Sequence, residues 1–212
     1  DYCDYDCPDA TKNILDLIFK SRTSEKTILK DIPCNKKKNI LIQAGNLDQN
    51  GVTTSLYNLL KNIDTKENNY FICFPNGKAK DHQSTIADLP EGVGYFPMHD
   101  KMNLGLIKNV FWYAFLATCF MKKTYFKVDF IAKLLENEWK YEITRLFGGA
   151  KFDHAIQFTG YGPKMILFFA NFPCKTTIYV HSDMRKEIET RGNQREDVLR
   201  YAYKNYDNVA LV

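Results

Sequence analysis

Short apolar runs alternate with segments of helical periodicity along most of this chain. Residues 39–45 form an apolar run that ends in glycine, which is typical of a buried parallel strand entering a turn. Apolar residues then recur at intervals of three and four over residues 56–63 and predict a helix. Residues 70–74 predict a second strand, which a Pro-Asn-Gly turn at 75–77 ends. This strand–helix–strand unit predicts a right-handed parallel crossover.

The alternation continues to the end of the sequence. We expect further strands at residues 92–96, 153–158, 176–180 and 208–212. We expect helices at residues 104–121, 128–147, 162–171 and 194–205. The pattern predicts an α/β fold with a doubly wound, mostly parallel, Rossmann-like sheet over residues 36–212. Residues 1–35 are polar and mixed, and we interpret them as an arm or as the tail of a preceding domain. The sequence stops on an apolar strand, which we interpret as a boundary within a longer protein.

The composition is that of a globular domain without a nucleic-acid signature. The formal net charge is +4, from 29 Lys and Arg against 25 Asp and Glu, and a balance this mild does not indicate nucleic-acid binding. Lysines cluster at 36–38 and 122–123. A phosphorylated ligand or an anionic membrane face suits such clusters, and ordinary solvated surface is the alternative.

The cysteines and the hydropathy pattern indicate the compartment. The six cysteines form no CxxC pair and no zinc-binding spacing, so we expect free thiols in a reducing compartment and no metal. The apolar run at 110–121 is about half of the roughly 20 residues that a membrane span requires. We therefore expect a cytoplasmic protein, either free or peripheral on the inner face of the membrane. The segment 110–116, followed by the lysine pair, fits a core helix or one that rests on a membrane surface.

Three strand ends carry the candidate chemistry. In the first, Gly45 and Gly51 flank a loop that leads into a helix, whose exposed N–H groups favour an anion. The spacing is neither GxGxxG nor Walker A, so a plain turn with a helix cap is as good an interpretation as a phosphate cradle. In the second, Tyr161 stands between two glycines after a strand, where doubly wound folds bind ligands. In the third, His181 lies two residues from Asp183, an arrangement that suits a phosphate or an acceptor hydroxyl.

These segments together are similar to a known family. Residues 36–64 resemble the opening segment of GT-B glycosyltransferases of teichoic acid and capsule synthesis, through the motifs Asn50-Gly51-Val52-Thr53 and Ser55-Leu56. Residues 153–162 resemble the family's hydrophobic-Phe-Ser/Thr-Gly-Tyr segment, and residues 179–187 its His-Asn-Asp-Met…Glu segment. Residues 203–207 resemble its Tyr…Asp lead into the last strand. Ser182 replaces the family's Asn, and Ala44 replaces the first glycine of its Gly-Gly pair.

The resemblance implies the acceptor-side half of a two-domain, metal-independent glycosyltransferase. It places the donor diphosphate at the glycine loop, on Gly45, Asn50, Gly51, Val52 and Thr53. It places the acceptor at Thr159, Gly160, Tyr161 and His181, with His181 and Asp183 as the catalytic residues and Asp183 orienting His181. The partners implied are a nucleotide-sugar and a polymer or lipid-linked acceptor. No cofactor is implied beyond that donor, which a missing C-terminal domain would hold, so we expect this chain to be inactive alone.

Residues 1–20 have a resemblance of their own, to the closing helix of a CDP-glycerol glycerophosphotransferase domain.

Two further hypotheses about function remain open. One alternative function is a stand-alone nucleotide-binding α/β enzyme, such as a reductase or a kinase-like domain. The other is a non-catalytic module that docks polymer synthesis onto a membrane or a partner protein.

Overall fold

The structure, a computed structural model, describes most of the chain from residue 35 onwards. The described residues are 35–99, 103–120, 126–191 and 194–212, with Lys12, Leu15, Phe19 and Ile32. The chain divides into two compact units, Asp1–Asp31 and Ile32–Val212. In the first unit Lys12, Leu15 and Phe19 have helical backbone, and the rest of the match at residues 1–20 lies outside the described residues, as does the lysine pair at 122–123.

The larger unit contains one six-stranded sheet. Its strands are β1 (Lys38–Gln43), β2 (Asn68–Pro75), β3 (Val93–Met98), β4 (His154–Gln157), β5 (Lys175–Val180) and β6 (Asn208–Leu211). Their order across the sheet is β3-β2-β1-β4-β5-β6, and every neighbouring pair is parallel. This arrangement confirms the predicted doubly wound α/β fold.

Helices connect the strands. Those in the described part are α1 (Gly51–Asn62), α2 (Asn76–Asp81), α3 (Gln83–Ala87), α4 (Leu106–Phe120), α5 (Val128–Leu134), α6 (Glu136–Phe147), α7 (Pro163–Phe169), α8 (Met184–Thr190) and α9 (Glu196–Asn205). Helices α2, α3 and α8 are shorter than eight residues and were not expected, because segments this short show little periodicity. Within the described residues, no helix combines the length and the apolar character needed to cross a membrane.

Both faces of the sheet are packed, which explains the apolar run of β1. Leu41 and Ile42 are 0% and 1% exposed, and they belong to different core clusters because successive strand residues point to opposite faces. Ile42 packs with Leu56 of α1, whereas Leu41 shares its cluster with Leu167 of α7. The β1–β2 crossover and the β4–β5 crossover therefore lie on opposite faces of the sheet.

The larger core cluster is built around aromatic residues of the helices between β3 and β4. Trp139 of α6 is 0% exposed, and its ring lies edge-on to Trp112 of α4 at 5.5 Å between centroids. It also meets Phe168 of α7 edge-on at 6.1 Å. Edge-on contacts of this kind are favourable beyond the area they bury. They fix α4, α6 and α7 against one another.

The predicted helix at 128–147 is in fact two helices. Leu135 has φ −105° and ψ 9°, which lies outside the helical region and separates α5 from α6. Its side chain is 0% exposed, so the break also delivers an apolar side chain to the core. The helical hydrogen bonding continues across this residue, because the Leu135 amide donates to the Ile131 carbonyl and the Trp139 amide donates to the Leu135 carbonyl. The three- and four-residue spacing of the apolar residues is therefore not interrupted here. The sequence pattern therefore does not reveal the break.

His154 is packed and hydrogen-bonded, as its position in a strand predicts. Its Nε2 lies 2.7 Å from Oγ1 of Thr177 on β5. Burial lowers the pKa of His154, the positive charge of Lys175 lowers it further, and Asp207 partly opposes both effects. The neutral ring is therefore the form that the fold favours.

This shift makes stability depend on pH in a defined direction. The unfolded chain protonates His154 near its ordinary pKa of 6.5, before the folded protein does. The contribution of His154 to the free energy of unfolding is therefore complete above pH 6.5 and is lost as the pH falls towards the folded pKa. We expect the free energy of unfolding of His154→Gln, whose side chain can still reach Thr177, to lack the decrease that His154 causes as the pH falls. Urea unfolding at about pH 7.5 and about pH 5.5 measures it. A stability difference between the two proteins that stays constant over this range would contradict the prediction.

Candidate functional site

The site lies where the carboxyl ends of β1 and β4 diverge. The chain continues from β1 into α1 on one face and from β4 into α7 on the other. In doubly wound sheets this reversal leaves a crevice at the carboxyl edge, where ligands bind. All three candidate segments follow strands that end at this edge, because every strand of the sheet is parallel.

The loop after β1 is shaped by close packing against the loop after β4. Gly45 has φ +68°, and a Cβ added there would lie 2.8 Å from Cγ2 of Thr159. Both the backbone conformation and the lack of space therefore require glycine. Gly45 thus has a structural reason to be present, whatever ligand binds nearby.

Leu47 in the same loop has an unusual conformation for a branched residue. Its φ is +60°, in the left-handed region, which costs on the order of 1–2 kcal/mol for a residue with a Cβ. The side chain is 2% exposed and packs in the core cluster of α1. Burial of this leucine offsets the backbone strain and holds the loop in one shape.

The start of α1 presents its first backbone amides, which have no hydrogen-bond partner among the described residues, towards the same edge. Asn50 caps the helix, and its Oδ1 accepts a hydrogen bond from the Thr53 amide at 3.0 Å. The amides of Gly51 and Val52 precede the first hydrogen bond of the helix, which Thr54 donates to the Asn50 carbonyl. The first turn carries no acidic residue, so its partial positive charge is not neutralised from within the helix. A Cβ on Gly51 would meet nothing within 4 Å, so the surface there is open.

The loop after β4 is held by a buried glutamine that sequence analysis missed. Gln157 is 0% exposed, and its Oε1 accepts from the Gly160 amide at 2.7 Å. Its Nε2 donates to Oγ1 of Thr159 at 2.9 Å and to the Tyr161 carbonyl at 3.1 Å. One side chain therefore fixes three consecutive residues of the loop.

A second buried glutamine joins this loop to β1. Gln43 is 4% exposed and lies directly opposite Gln157 in the parallel pairing of β1 with β4. Its Oε1 accepts a hydrogen bond from Oγ1 of Thr159 at 3.0 Å. The signal that could have revealed this pair is a glutamine near the end of each of two apolar strand runs, because a buried polar residue there requires specific partners.

Gly160 allows the loop to approach the next strand. Its φ is +70°, and a Cβ there would lie 2.3 Å from the carbonyl oxygen of Tyr179 on β5. Beyond it, the Tyr161 hydroxyl donates to Oγ of Ser182 at 3.1 Å. Ser182 therefore joins the second candidate segment to the third.

His181 is oriented by Phe158, directly after β4, rather than by Asp183. Its Nε2 donates to the carbonyl oxygen of Phe158 at 2.7 Å, and its ring packs on the Phe158 ring at 4.8 Å between centroids. When the ring is neutral, this tautomer leaves Nδ1 as a hydrogen-bond acceptor. Asp183 instead caps α8, with its Oδ1 accepting from the amides of Arg185 and Lys186. The structure thus gives Asp183 a contact other than the orienting one that the sequence predicts.

An ion cluster that the sequence did not suggest lies beside the glycine loop. Oδ1 of Asp48 is 3.4 Å from Nζ of Lys78 and 3.2 Å from Nε2 of His82. Partial burial of Asp48 would by itself raise its pKa, but hydrogen bonding and charge from Lys78, with hydrogen bonds from His82 and Asn46, hold the pKa below its usual range. The cluster ties the loop after β1 to the segment after β2.

The candidate residues divide into two groups by their contacts. Direct contacts join Gly45, Thr159, Gly160, Tyr161 and His181 to one another or to the strands between them. Asn50–Thr53 follow the same strand end as Gly45, and among the described residues no hydrogen bond joins them to Tyr161 or His181. Within the same part of the chain, no group of three His, Cys, Asp or Glu is arranged to hold a metal ion.

Two surface cavities lie elsewhere, at the opposite edge of the sheet. Their volumes are about 440 and 480 Å³, and they share Ile143, Thr144, Phe172 and Pro173. Asp153 and Cys174, which line the first, precede β4 and β5, so this is the amino edge. Burial, with the charges of Asp153 and Asp207, raises the pKa of the Cys174 thiol to about 11, which disfavours the reactive thiolate. The buried polar network at the carboxyl edge has no counterpart in the lining of these cavities.

No protein-family model matches this chain, and no curated protein matches its sequence. The geometry of the site therefore has to support any functional proposal.

Replacing the buried glutamine tests whether it holds the loop. Gln157→Leu leaves the Gly160 amide and the Tyr161 carbonyl without partners in the protein interior. We expect the free energy of unfolding to fall by about 2–3 kcal/mol, the usual cost of buried groups left unpaired. Gln49→Leu, at an exposed glutamine of the loop after β1, is the matched control and should change stability by less than about 0.5 kcal/mol. Equal effects of the two substitutions in urea unfolding would show that the network contributes little.

Proposed function

We propose that residues 36–212 are the acceptor-side half of a glycosyltransferase that transfers a sugar from a nucleotide-sugar to a wall or capsular polymer. A second domain would hold the nucleotide, and this chain alone would not turn over. The observation that carries the proposal is the convergence of three segments at one sheet edge. These are the loop after β1, the loop after β4 and the segment after β5, joined through Gly45–Thr159 and Tyr161–Ser182.

The start of α1 suits the leaving diphosphate. The Gly51 and Val52 amides precede the first hydrogen bond of the helix, and no carboxylate in the first turn competes for them. Amide donors and a helix dipole stabilise negative charge without the cost of reorganising water. As the bond between the anomeric carbon and the diphosphate oxygen breaks, its electron pair passes to the diphosphate, where these groups would stabilise it.

His181 and Tyr161 suit the acceptor side. The hydrogen bond to the Phe158 carbonyl holds the imidazole with Nδ1 available as an acceptor. In the proposed reaction Nδ1 would take the proton of the acceptor hydroxyl as its oxygen bonds to the anomeric carbon. Tyr161 would contact the acceptor from the loop after β4, in an orientation fixed by Ser182 and Gln157. Asp183 would act only as the cap of α8.

One specific observation favours a second candidate, a stand-alone dinucleotide-binding enzyme. The strand order β3-β2-β1-β4-β5-β6 is also that of dinucleotide-binding sheets. Those sheets use a GxGxxG loop after the first strand and an acidic residue about 20 residues further on, which binds the ribose. Here Gly45 and Gly51 are six residues apart, and β2 ends in Phe74-Pro75. Both departures favour the glycosyltransferase.

Ligand-induced stabilisation separates these candidates. We expect a uridine diphosphate sugar, whose diphosphate and sugar this chain would contact, to raise the melting temperature at millimolar concentration at least as much as NAD or ATP does. Gly51→Glu should abolish this rise, because its carboxylate would stand beside the free amides and repel the diphosphate. The same carboxylate interacts favourably with the helix dipole, by about 0.3–1 kcal/mol, so the fold should not be weakened.

Gly105→Glu is the matched control. Gly105 also lies at a helix start with nothing within 4 Å of an added Cβ, but it precedes α4. This variant should keep the response to the nucleotide-sugar. A larger shift with NAD or ATP, or an unchanged response in Gly51→Glu, would count against the proposed function.

A further inference from the structure

Helix α4 exposes a row of large apolar side chains. Leu106, Ile107, Val110 and Tyr113 are 83%, 72%, 62% and 63% exposed. Their spacing of one, three and four residues places them on one side of the helix. Contiguous exposed apolar surface on a folded domain marks an interaction site.

The opposite side of α4 is already buried in the core. Trp112 and Phe115 are 4% and 0% exposed, and Thr118 is 6% exposed. The sequence of α4 is apolar around most of the helix, which fits either a helix enclosed in the core or one that rests on a membrane surface. In the structure only one side packs inward, so the apolar residues on the other side are not explained by the core.

The exposed row continues onto α5. Phe111, on the flank of α4, lies 5.8 Å between ring centroids from Phe130. Phe130 is itself 48% exposed, and its ring stacks with Phe126 at 6.2 Å. The apolar surface therefore extends from the first turn of α4 to α5. We call Leu106, Ile107, Val110, Tyr113 and Phe130 the apolar row.

The sequence of α4 and its flanks is basic as far as Asp129, which adjoins Phe130 of the row. Residues 101–128 contain no Asp or Glu and five lysines, namely Lys101, Lys108, Lys122, Lys123 and Lys127. Lys108 forms an ion pair with Glu138 of α6. For Lys101, Lys122 and Lys123, which lie outside the described residues, only the sequence position enters here.

We propose that the apolar row docks on an anionic lipid surface. Apolar side chains on one side of a helix enter the boundary between headgroups and acyl chains, and lysines near the helix contact anionic headgroups. A tyrosine such as Tyr113 suits this boundary, because its ring is apolar and its hydroxyl remains hydrated. The absence of carboxylates from residues 101–128 suits a negatively charged surface. This docking does not depend on the proposed sugar transfer.

Vesicle co-sedimentation tests the docking surface. We expect the 212-residue chain to bind vesicles of phosphatidylcholine with phosphatidylglycerol, to bind pure phosphatidylcholine vesicles far less, and to be released by salt. Ile107→Asp should weaken binding by about tenfold or more, since it places a carboxylate in the row. Its position in the first turn of α4 favours an acidic residue, so the fold should persist, as circular dichroism would verify.

Leu211→Asp is the matched control, at an 81% exposed leucine of β6 outside the apolar row. It should bind vesicles like the unmodified chain. Equal binding by Ile107→Asp and the unmodified chain would overturn the proposal, and so would equal binding to neutral and anionic vesicles. A dimer in light scattering that Ile107→Asp converts to a monomer, without vesicle binding by either, would show instead that the row joins two copies of this chain.

Discussion

The position of β1 between β2 and β4 is the constraint on which the candidate site depends. β1 pairs in parallel with both neighbours, so the chain must leave β1 and β4 through helices on opposite faces. The loop after β1 and the loop after β4 begin side by side at the carboxyl edge, where Gly45 lies against Thr159. Their polar groups are satisfied by side chains of the two strands, Gln43 and Gln157. The place of the site is a consequence of topology, and its chemistry is decided by a few residues that follow each strand.

Those residues are fixed mainly by buried hydrogen bonds. Gln43 and Gln157 face each other across the β1–β4 pairing, and Thr159 lies between them, accepting from one amide and donating to the other. Both polar atoms of the Gln157 amide and the Thr159 hydroxyl have partners in this network, and buried polar groups that are satisfied in this way hold a structure rigid. Gly160 lets the loop pass close to β5. The result is a preorganised edge, on which a reacting group can be held in one orientation without further ordering on binding.

The fold could be predicted from the sequence, but the details of the site could not. Apolar runs such as 39–45 and helical spacing such as 56–63 are local signals, and they indicated the strands, the crossovers and the parallel sheet. The break at Leu135 and the ion cluster around Asp48 depend on tertiary contacts that no local pattern encodes. A carboxylate two residues from a histidine and a helix cap look alike in sequence, so the cap that Asp183 provides for α8 emerges only from the structure. Likewise, an all-round apolar helix does not reveal which side will be buried, so the exposed side of α4 emerged only from the structure.

The central claim is that the three segments at the carboxyl edge form one ligand site, and amide chemical-shift mapping tests it most directly. Titrating the isotopically labelled chain with a uridine diphosphate sugar should shift the amide signals of Gly51 and Val52 together with those of Thr159–Tyr161 and of His181. Amides around Phe172 and Thr144, at the opposite edge, should stay unchanged. Shifts confined to that opposite edge, or shifts of the α1 amides alone, would contradict a shared site.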